Sequence, residues 1–151
     1  MIFEKSETIL LVEDNPDDIE LTMRAFRKNN IANEVIVARD GVEALDYLFC
    51  KGTYADRDEK DTPRLILLDL KLPKMDGLQV LERLRSDGHN KMVPVVILTS
   101  SKEEQDLISG YKCGANSYVR KPINFNEFVD AVRNIGLYWL LINEPPPDNG
   151  R

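Results

Sequence analysis

Apolar residues along this chain follow two alternating rhythms. In one, mostly apolar residues run together for three to six positions; in the other, they recur every three or four. The runs, at 8–12, 34–38, 65–68, 93–98 and 117–119, read as short strands, and Leu65-Ile66-Leu67-Leu68 reads as one buried on both faces. The stretches between them predict helices. Ile19, Met23 and Phe26 mark the inner face of the first, and Val42, Leu45, Leu48 and Phe49 that of the second. Leu78, Leu81 and Leu84 mark the third, Leu107, Ile108 and Tyr111 a weaker fourth over 103–112, and Phe128, Val132 and Ile135 the fifth.

Start signals agree with this division. Asn15-Pro16 offers an N-cap followed by a proline suited to the first helical position. Asp40 with Glu43, and Asn124 with Glu127, have capping-box spacing, and Asp76 is a good cap before Gly77. Gly114 stops the fourth helix. Residues 52–63, charged and bounded by Gly and Pro, predict a solvated loop.

Strict alternation of five strands with five helices predicts an α/β fold, a doubly wound five-stranded parallel sheet in the flavodoxin-like order 2-1-3-4-5 with helices on both faces, because parallel neighbours need right-handed helical crossovers. One domain over 8–143 accounts for the pattern. The ends, 1–7 and the proline-rich 144–151, are expected to be flexible, and no output domain is expected beyond Leu141.

With 151 residues, 42% of them hydrophobic and 30% charged, the composition is that of a soluble globular protein. Net charge is −6. That balance argues against nucleic acid or an anionic membrane surface as partner, since both call for a basic patch. The first seven residues carry charges where a signal peptide would be apolar, and 137–142 is too short to span a membrane, so a cytoplasmic protein is expected. Cys50 and Cys113 lack metal or redox spacing and read as reduced structural thiols; His89 reads as a surface-loop residue.

Candidate chemistry sits at strand ends. Open α/β sheets form their crevice at the carboxyl ends of the strands, which brings together Glu13, Asp14, Asp69, Thr99 and Lys121. Carboxylates so placed repel one another unless a hard, oxygen-preferring cation sits among them, and Mg²⁺ is the natural candidate, with Glu13, Asp14, Asp69 and the Lys71 backbone carbonyl as ligands. Asp69, at the end of the central strand, then becomes a nucleophile towards phosphorus. Lys121 and Thr99 would stabilise the phosphoryl oxygens, and the product is an aspartyl phosphate. Asp17, Asp18 and Glu20 belong instead to the first helix, whose dipole favours them. Lys71 and Lys74 side chains read as surface charges.

These residues carry a resemblance. Glu13-Asp14, Asp69 at the end of the third strand, Leu72-Pro73 and Asp76-Gly77 after it, then Thr99 and Lys121-Pro122, resemble in order and spacing a response-regulator receiver domain over about residues 8–140. The loop before the third strand and Gly136-Leu137-Tyr138-Trp139-Leu140 are similar to single-domain regulators paired with cyanobacterial phytochromes. The resemblance implies a histidine kinase as phosphoryl donor, and the closer likeness implies one of phytochrome type. It implies a phosphorylation-dependent protein-interaction surface for a downstream protein, no catalysis beyond the chain's own phosphotransfer and dephosphorylation, Tyr118 as switch aromatic alongside Thr99, and a cis Lys121-Pro122 peptide. In a receiver geometry Lys71 and Ser101 lie two positions beyond Asp69 and Thr99 and tune hydrolysis.

Two other classes compete. A haloacid-dehalogenase phosphohydrolase needs a second Asp two residues after the nucleophile, where this chain has Lys71. A flavodoxin-like nucleotide or flavin binder needs a phosphate loop after the first strand, where Glu13-Asp14-Asn15-Pro16 would repel phosphate. Residues 137–142 are apolar on every side, which suggests a homodimer through the fourth helix, fifth strand and fifth helix, either coupled to phosphorylation or constitutive. The alternative is that they fold back onto the monomer core.

Overall fold

The computed structural model describes residues 7–99, 104–120 and 124–142. Strands β1 (Ile9–Val12), β2 (Val35–Ala38), β3 (Leu65–Leu68), β4 (Val95–Thr99) and β5 (Ser117–Arg120) alternate with helices α1 (Pro16–Lys28), α2 (Gly41–Leu48), α3 (Gly77–Arg85), α4 (Glu104–Lys112) and α5 (Phe125–Ile135). All four strand pairings are parallel, in the order β2-β1-β3-β4-β5. The doubly wound sheet expected from the alternation is therefore the one formed.

Side chains of successive strand residues point to opposite faces, and the core divides accordingly. Leu10, Val12, Ile66, Leu68, Val95 and Ile97 face one layer, packed with Ala44, Leu45 and Leu48 of α2 and Val80, Leu81 and Leu84 of α3. Ile9, Leu11, Leu65, Leu67, Val96 and Leu98 face the other, packed with Phe26 of α1 and Phe128, Val132 and Ile135 of α5. All four β3 residues are buried, as a central strand covered on both sides requires.

Helix starts follow local chemistry. Asn15 Oδ1 accepts from the backbone N–H groups of Asp17 and Asp18, and Asn124 Oδ1 accepts from that of Glu127. The two-way capping box forms at Asp76 with Gln79. At α2 the Asp40 side chain caps Glu43 N–H, but the Glu43 carboxylate turns back to Arg39 N–H, one residue before the cap. Gly41 lets this helix end close on the β3–α3 loop: a Cβ there would lie 2.1 Å from the Met75 carbonyl oxygen.

Several expectations change. Val42 is 42% exposed, and Ala44 and Tyr47 join Leu45 and Leu48 on the buried face of α2. On α4, Ile108 and Tyr111 are also exposed. That helix docks instead through Gly110, where a Cβ would meet Ile97 Cδ1 at 2.7 Å. Residues 52–63 form the largely exposed loop expected, with Tyr54 and Arg57 fastening it to α2. A 3₁₀ turn at Gly52–Tyr54 sets the Tyr54 ring edge-on to Tyr47, and the Arg57 guanidinium lies 3.8 Å from the Tyr47 ring centroid. His89 is partly buried in its turn and faces Glu59 at 3.8 Å.

After α5 the chain continues as a π-helical turn, Gly136–Ile142. Trp139 and Leu140 pack on the core, as the fold-back alternative expects, while Leu137 and Tyr138 stay exposed. Arg64 Nη2 donates to the Leu140 carbonyl and fastens the turn to the sheet. Among the described residues no helix is long and apolar enough to cross a membrane. Of the expected ends, 1–7 and 144–151, only Glu7 lies within the described residues.

Candidate phosphoacceptor and metal site

Asp69 follows β3 directly, and its backbone N–H donates to the Val12 carbonyl at 3.0 Å, which ties it to the end of β1. Immediately afterwards the chain must leave the sheet. Gly77 N–H donates to the Leu70 carbonyl at 2.9 Å, and a Cβ on Gly77 would lie 2.2 Å from the Asp69 carbonyl oxygen. Only glycine lets the first turn of α3 approach this closely. The carboxylate is thus fixed from both sides by backbone.

Its side chain is 9% exposed. Asp69 Oδ1 accepts from the Thr99 hydroxyl at 2.7 Å and from the Lys71 backbone N–H at 3.3 Å. Thr99 ends β4 and is fully buried. A short bond of this kind to an ionised acceptor is among the stronger hydrogen bonds available.

Beside it, carboxylate oxygens of Glu13, Asp14 and Asp69 all lie within 4.8 Å of one another. Glu13 is buried, its N–H continuing the sheet to Ala38 O at 2.9 Å and its carboxylate accepting from Asn15 N–H at 3.3 Å, while Asp14 is exposed. An all-oxygen donor set with one solvent-facing member fits a hard divalent cation that keeps several of its waters. Soft metals favour nitrogen and sulfur ligands, which this cluster lacks.

Tyr118 pairs with Ile97 in the β4–β5 register, so its side chain shares a sheet face with Ile97 and Thr99. Its half-buried ring packs with the layer formed by α2 and α3, and a Cβ on Gly110 would stand 3.5 Å from the Tyr118 ring. An isolated glycine inside a predicted helix, which costs about 1 kcal/mol relative to alanine, is a sequence signal for such a close approach.

The structure therefore brings Glu13, Asp14, Asp69, Thr99 and the Lys71 backbone to one crevice, with Tyr118 on the adjoining strand. Lys71 and Lys74 are exposed; Lys74 has a left-handed backbone, φ 67°, and its ammonium pairs with Asp40 at 3.4 Å. The remaining expected residues, Ser101, Lys121 and the Lys121-Pro122 peptide, lie outside the described residues. Cys50 and Cys113 are free thiols, half-buried, and burial pushes the pKa of each up, away from reactivity.

One position escaped sequence reasoning. Arg85 donates to the carbonyls of Gly114, Asn90, Lys91 and Val93 and to Asn116 Oδ1. Its acceptors come from separate turns, which no local pattern announces.

Comparison with known proteins places the chain among similar ones. Response regulator Rcp1 of Synechocystis sp. is 38% identical over 134 residues, 89% of each chain. The crystal structure of its Mn²⁺-bound form superposes with a TM-score of 0.84 at 37% identity, covering 93% of this chain and 99% of that one. The phosphorylated cyanobacterial phytochrome response regulator RcpA superposes with a TM-score of 0.86 at 39% identity over 94% of this chain and 99% of its own. The bacteriophytochrome response regulator AtBRR is 52% identical, with a TM-score of 0.74 over 93% of this chain and 100% of that chain. Residues 9–133 match the response regulator receiver domain, and the chain belongs to that family.

Proposed function

We propose that Asp69 is the phosphoacceptor of a two-component phosphorelay, charged by a histidine kinase and read out through a phosphorylation-dependent protein-interaction surface. The observation that carries this is the Asp69 carboxylate itself. It is held at the end of the central strand by Thr99 at 2.7 Å, with the carboxylates of Glu13 and Asp14 within 4.8 Å.

In the transfer, an Asp69 carboxylate oxygen attacks phosphorus in line with the P–N bond of the kinase's phosphohistidine. The P–O bond forms as the P–N bond breaks, and the imidazole leaves with the bonding pair and takes up a proton. Glu13, Asp14, Asp69 and the Lys71 backbone carbonyl would hold Mg²⁺, which when bound neutralises charge on the phosphoryl oxygens. The Thr99 hydroxyl exchanges its bond to Asp69 for one to a phosphoryl oxygen, and Lys121 supplies a second cation. Hydrolysis breaks the P–O bond to Asp69 by attack of water, releasing inorganic phosphate and restoring the carboxylate. Lys71 and Ser101 would set the rate of this step. The chain catalyses no reaction beyond these two.

Thr99 and Tyr118 form the switch. Once Thr99 turns towards the phosphoryl group, the Tyr118 ring has room to move inward, and the surface of α4 and β5 changes. A phytochrome-type sensor as the cognate kinase is supported by the likeness to RcpA and AtBRR. The place of the reaction is the cytoplasm, where ATP charges histidine kinases. Residues 8–143 form the receiver unit. A homodimer is supported by the exposed Leu137 and Tyr138 beside α5, an apolar pair that a symmetric contact would cover.

Intact mass spectrometry with acetyl phosphate and Mg²⁺ tests the central assignment. The chain gains one phosphate and Asp69→Asn gains none; label retained by Asp69→Asn would refute it.

A further inference from the structure

The phosphoacceptor reading leaves open how a change at Thr99 is confined to one part of the surface. The far end of α4 bears on this. Arg85, the last residue of α3, is half-buried, and its guanidinium donates from Nε to Gly114 O at 2.9 Å, from Nη1 to Val93 O at 2.7 Å and Lys91 O at 2.9 Å, and from Nη2 to Asn116 Oδ1 at 2.8 Å. Among the described residues it has no carboxylate partner, so the cation is satisfied by carbonyl oxygens of two turns. Asn116 relays the contact. Its Oδ1 also accepts from Val95 N–H at 2.8 Å, and its own N–H donates to Val95 O at 2.9 Å, which locks the start of β5 to the start of β4.

Gly114 is shaped for this contact. Its backbone is left-handed, φ 102°, and a Cβ would stand 3.0 Å from Arg85 Cγ and Nε. The same end of α4 is held by packing, since Cys113 and Ala115 rest on the core and Gly110 touches Ile97.

We propose that Arg85 is the positioning residue on which the switch turns. It pins the C-terminal end of α4 to the starts of β4 and β5, so that displacement of α4 on phosphorylation is confined to its N-terminal half, next to Thr99. This rests on the phosphoacceptor reading for its trigger. The anchored end itself exists without phosphate. A fixed pivot converts a small movement at Thr99 into a tilt of α4 rather than a translation, because one end has nowhere to go.

Hydrogen exchange of the full chain, followed residue by residue, tests it at rest and with beryllofluoride and Mg²⁺ as phosphoryl mimic. At rest, Arg85→Met and the milder Arg85→Lys speed exchange of amides 110–116 by more than about tenfold while leaving amides at Asp69 and in β1 unchanged. With beryllofluoride the unsubstituted chain changes at 104–108 and not at 112–116, and in Arg85→Lys the change spreads through 112–116. Unchanged resting exchange at 110–116 in both variants would overturn the proposal, as would an unsubstituted chain whose response covers all of α4. Fluorine NMR reads beryllofluoride uptake separately: no uptake overturns the phosphoacceptor reading and the pivot's role in switching, whereas uptake with a uniform α4 response overturns only the pivot.

Discussion

The Thr99 hydroxyl donates to Asp69 Oδ1 across 2.7 Å, joining the ends of two neighbouring strands whose residues lie thirty positions apart in sequence. On the proposed phosphoacceptor role the bond would orient the nucleophile and hold the switch in one contact, because Thr99 cannot serve Asp69 Oδ1 and a phosphoryl oxygen with the same proton. Replacing Thr99 by Ala leaves the acceptor chemistry in place and removes that choice. Phosphate uptake from acetyl phosphate is expected to persist, slowed roughly tenfold for loss of one charge-assisted hydrogen bond. The exchange response of α4 to beryllofluoride is expected to vanish. A variant that keeps the full α4 response would remove Thr99 from the switch.

Metal binding is expected to depend on Asp14 more than its exposure suggests. Asp14→Ala takes one of three carboxylates from a site with few protein ligands, and Mg²⁺ affinity should fall by about tenfold or more. EDTA should stop phosphate uptake in the unsubstituted chain. Calorimetric titration of Mg²⁺ checks the first and intact mass with acetyl phosphate the second; unchanged affinity in Asp14→Ala would move the metal elsewhere.

Phosphate lifetime is expected to answer to Lys71 and Ser101. The Lys71 backbone is held by its N–H bond to Asp69 Oδ1 at 3.3 Å, while its side chain is exposed. Substitutions there change what flanks an attacking water without disturbing the nucleophile. Lys71→Ala and Ser101→Ala should alter the dephosphorylation half-life severalfold while leaving the phosphorylation rate within about twofold. Equal half-lives across both sets would dismiss the idea.

Residues 137–140, after α5, divide by burial. Trp139 packs on the core, so Trp139→Glu should destabilise the monomer by about 3 kcal/mol or more, read by urea denaturation. Leu137 and Tyr138 are 40% and 48% exposed, and their replacement by Glu should leave stability within about 0.5 kcal/mol while abolishing the dimer. Light scattering at micromolar concentration, with and without acetyl phosphate, decides. A monomer in every sample would end the dimer proposal.

What the sequence by itself determined is whatever short-range chemistry specifies. Four aliphatic residues before Asp69 dictate a strand buried on both faces. Asn15-Pro16, Asp40 and Asp76 dictate where helices start, and alternating periods dictate a parallel sheet whose strand ends gather Glu13, Asp14, Asp69 and Thr99. Tertiary structure decided what depends on the approach of distant backbone. The outward turn of Val42, Ile108 and Tyr111 came from how closely Gly41 and Gly110 let their helices dock, which no apolar spacing encodes. The fastening of the exposed 52–63 loop by Arg57 and Tyr47, and the split of 137–140 into an exposed pair and a packed pair, arose the same way. The Arg85 clamp is the extreme case: its acceptors lie in separate turns, and their carbonyl groups, common to every residue, acquire meaning only once the fold aims them at one guanidinium.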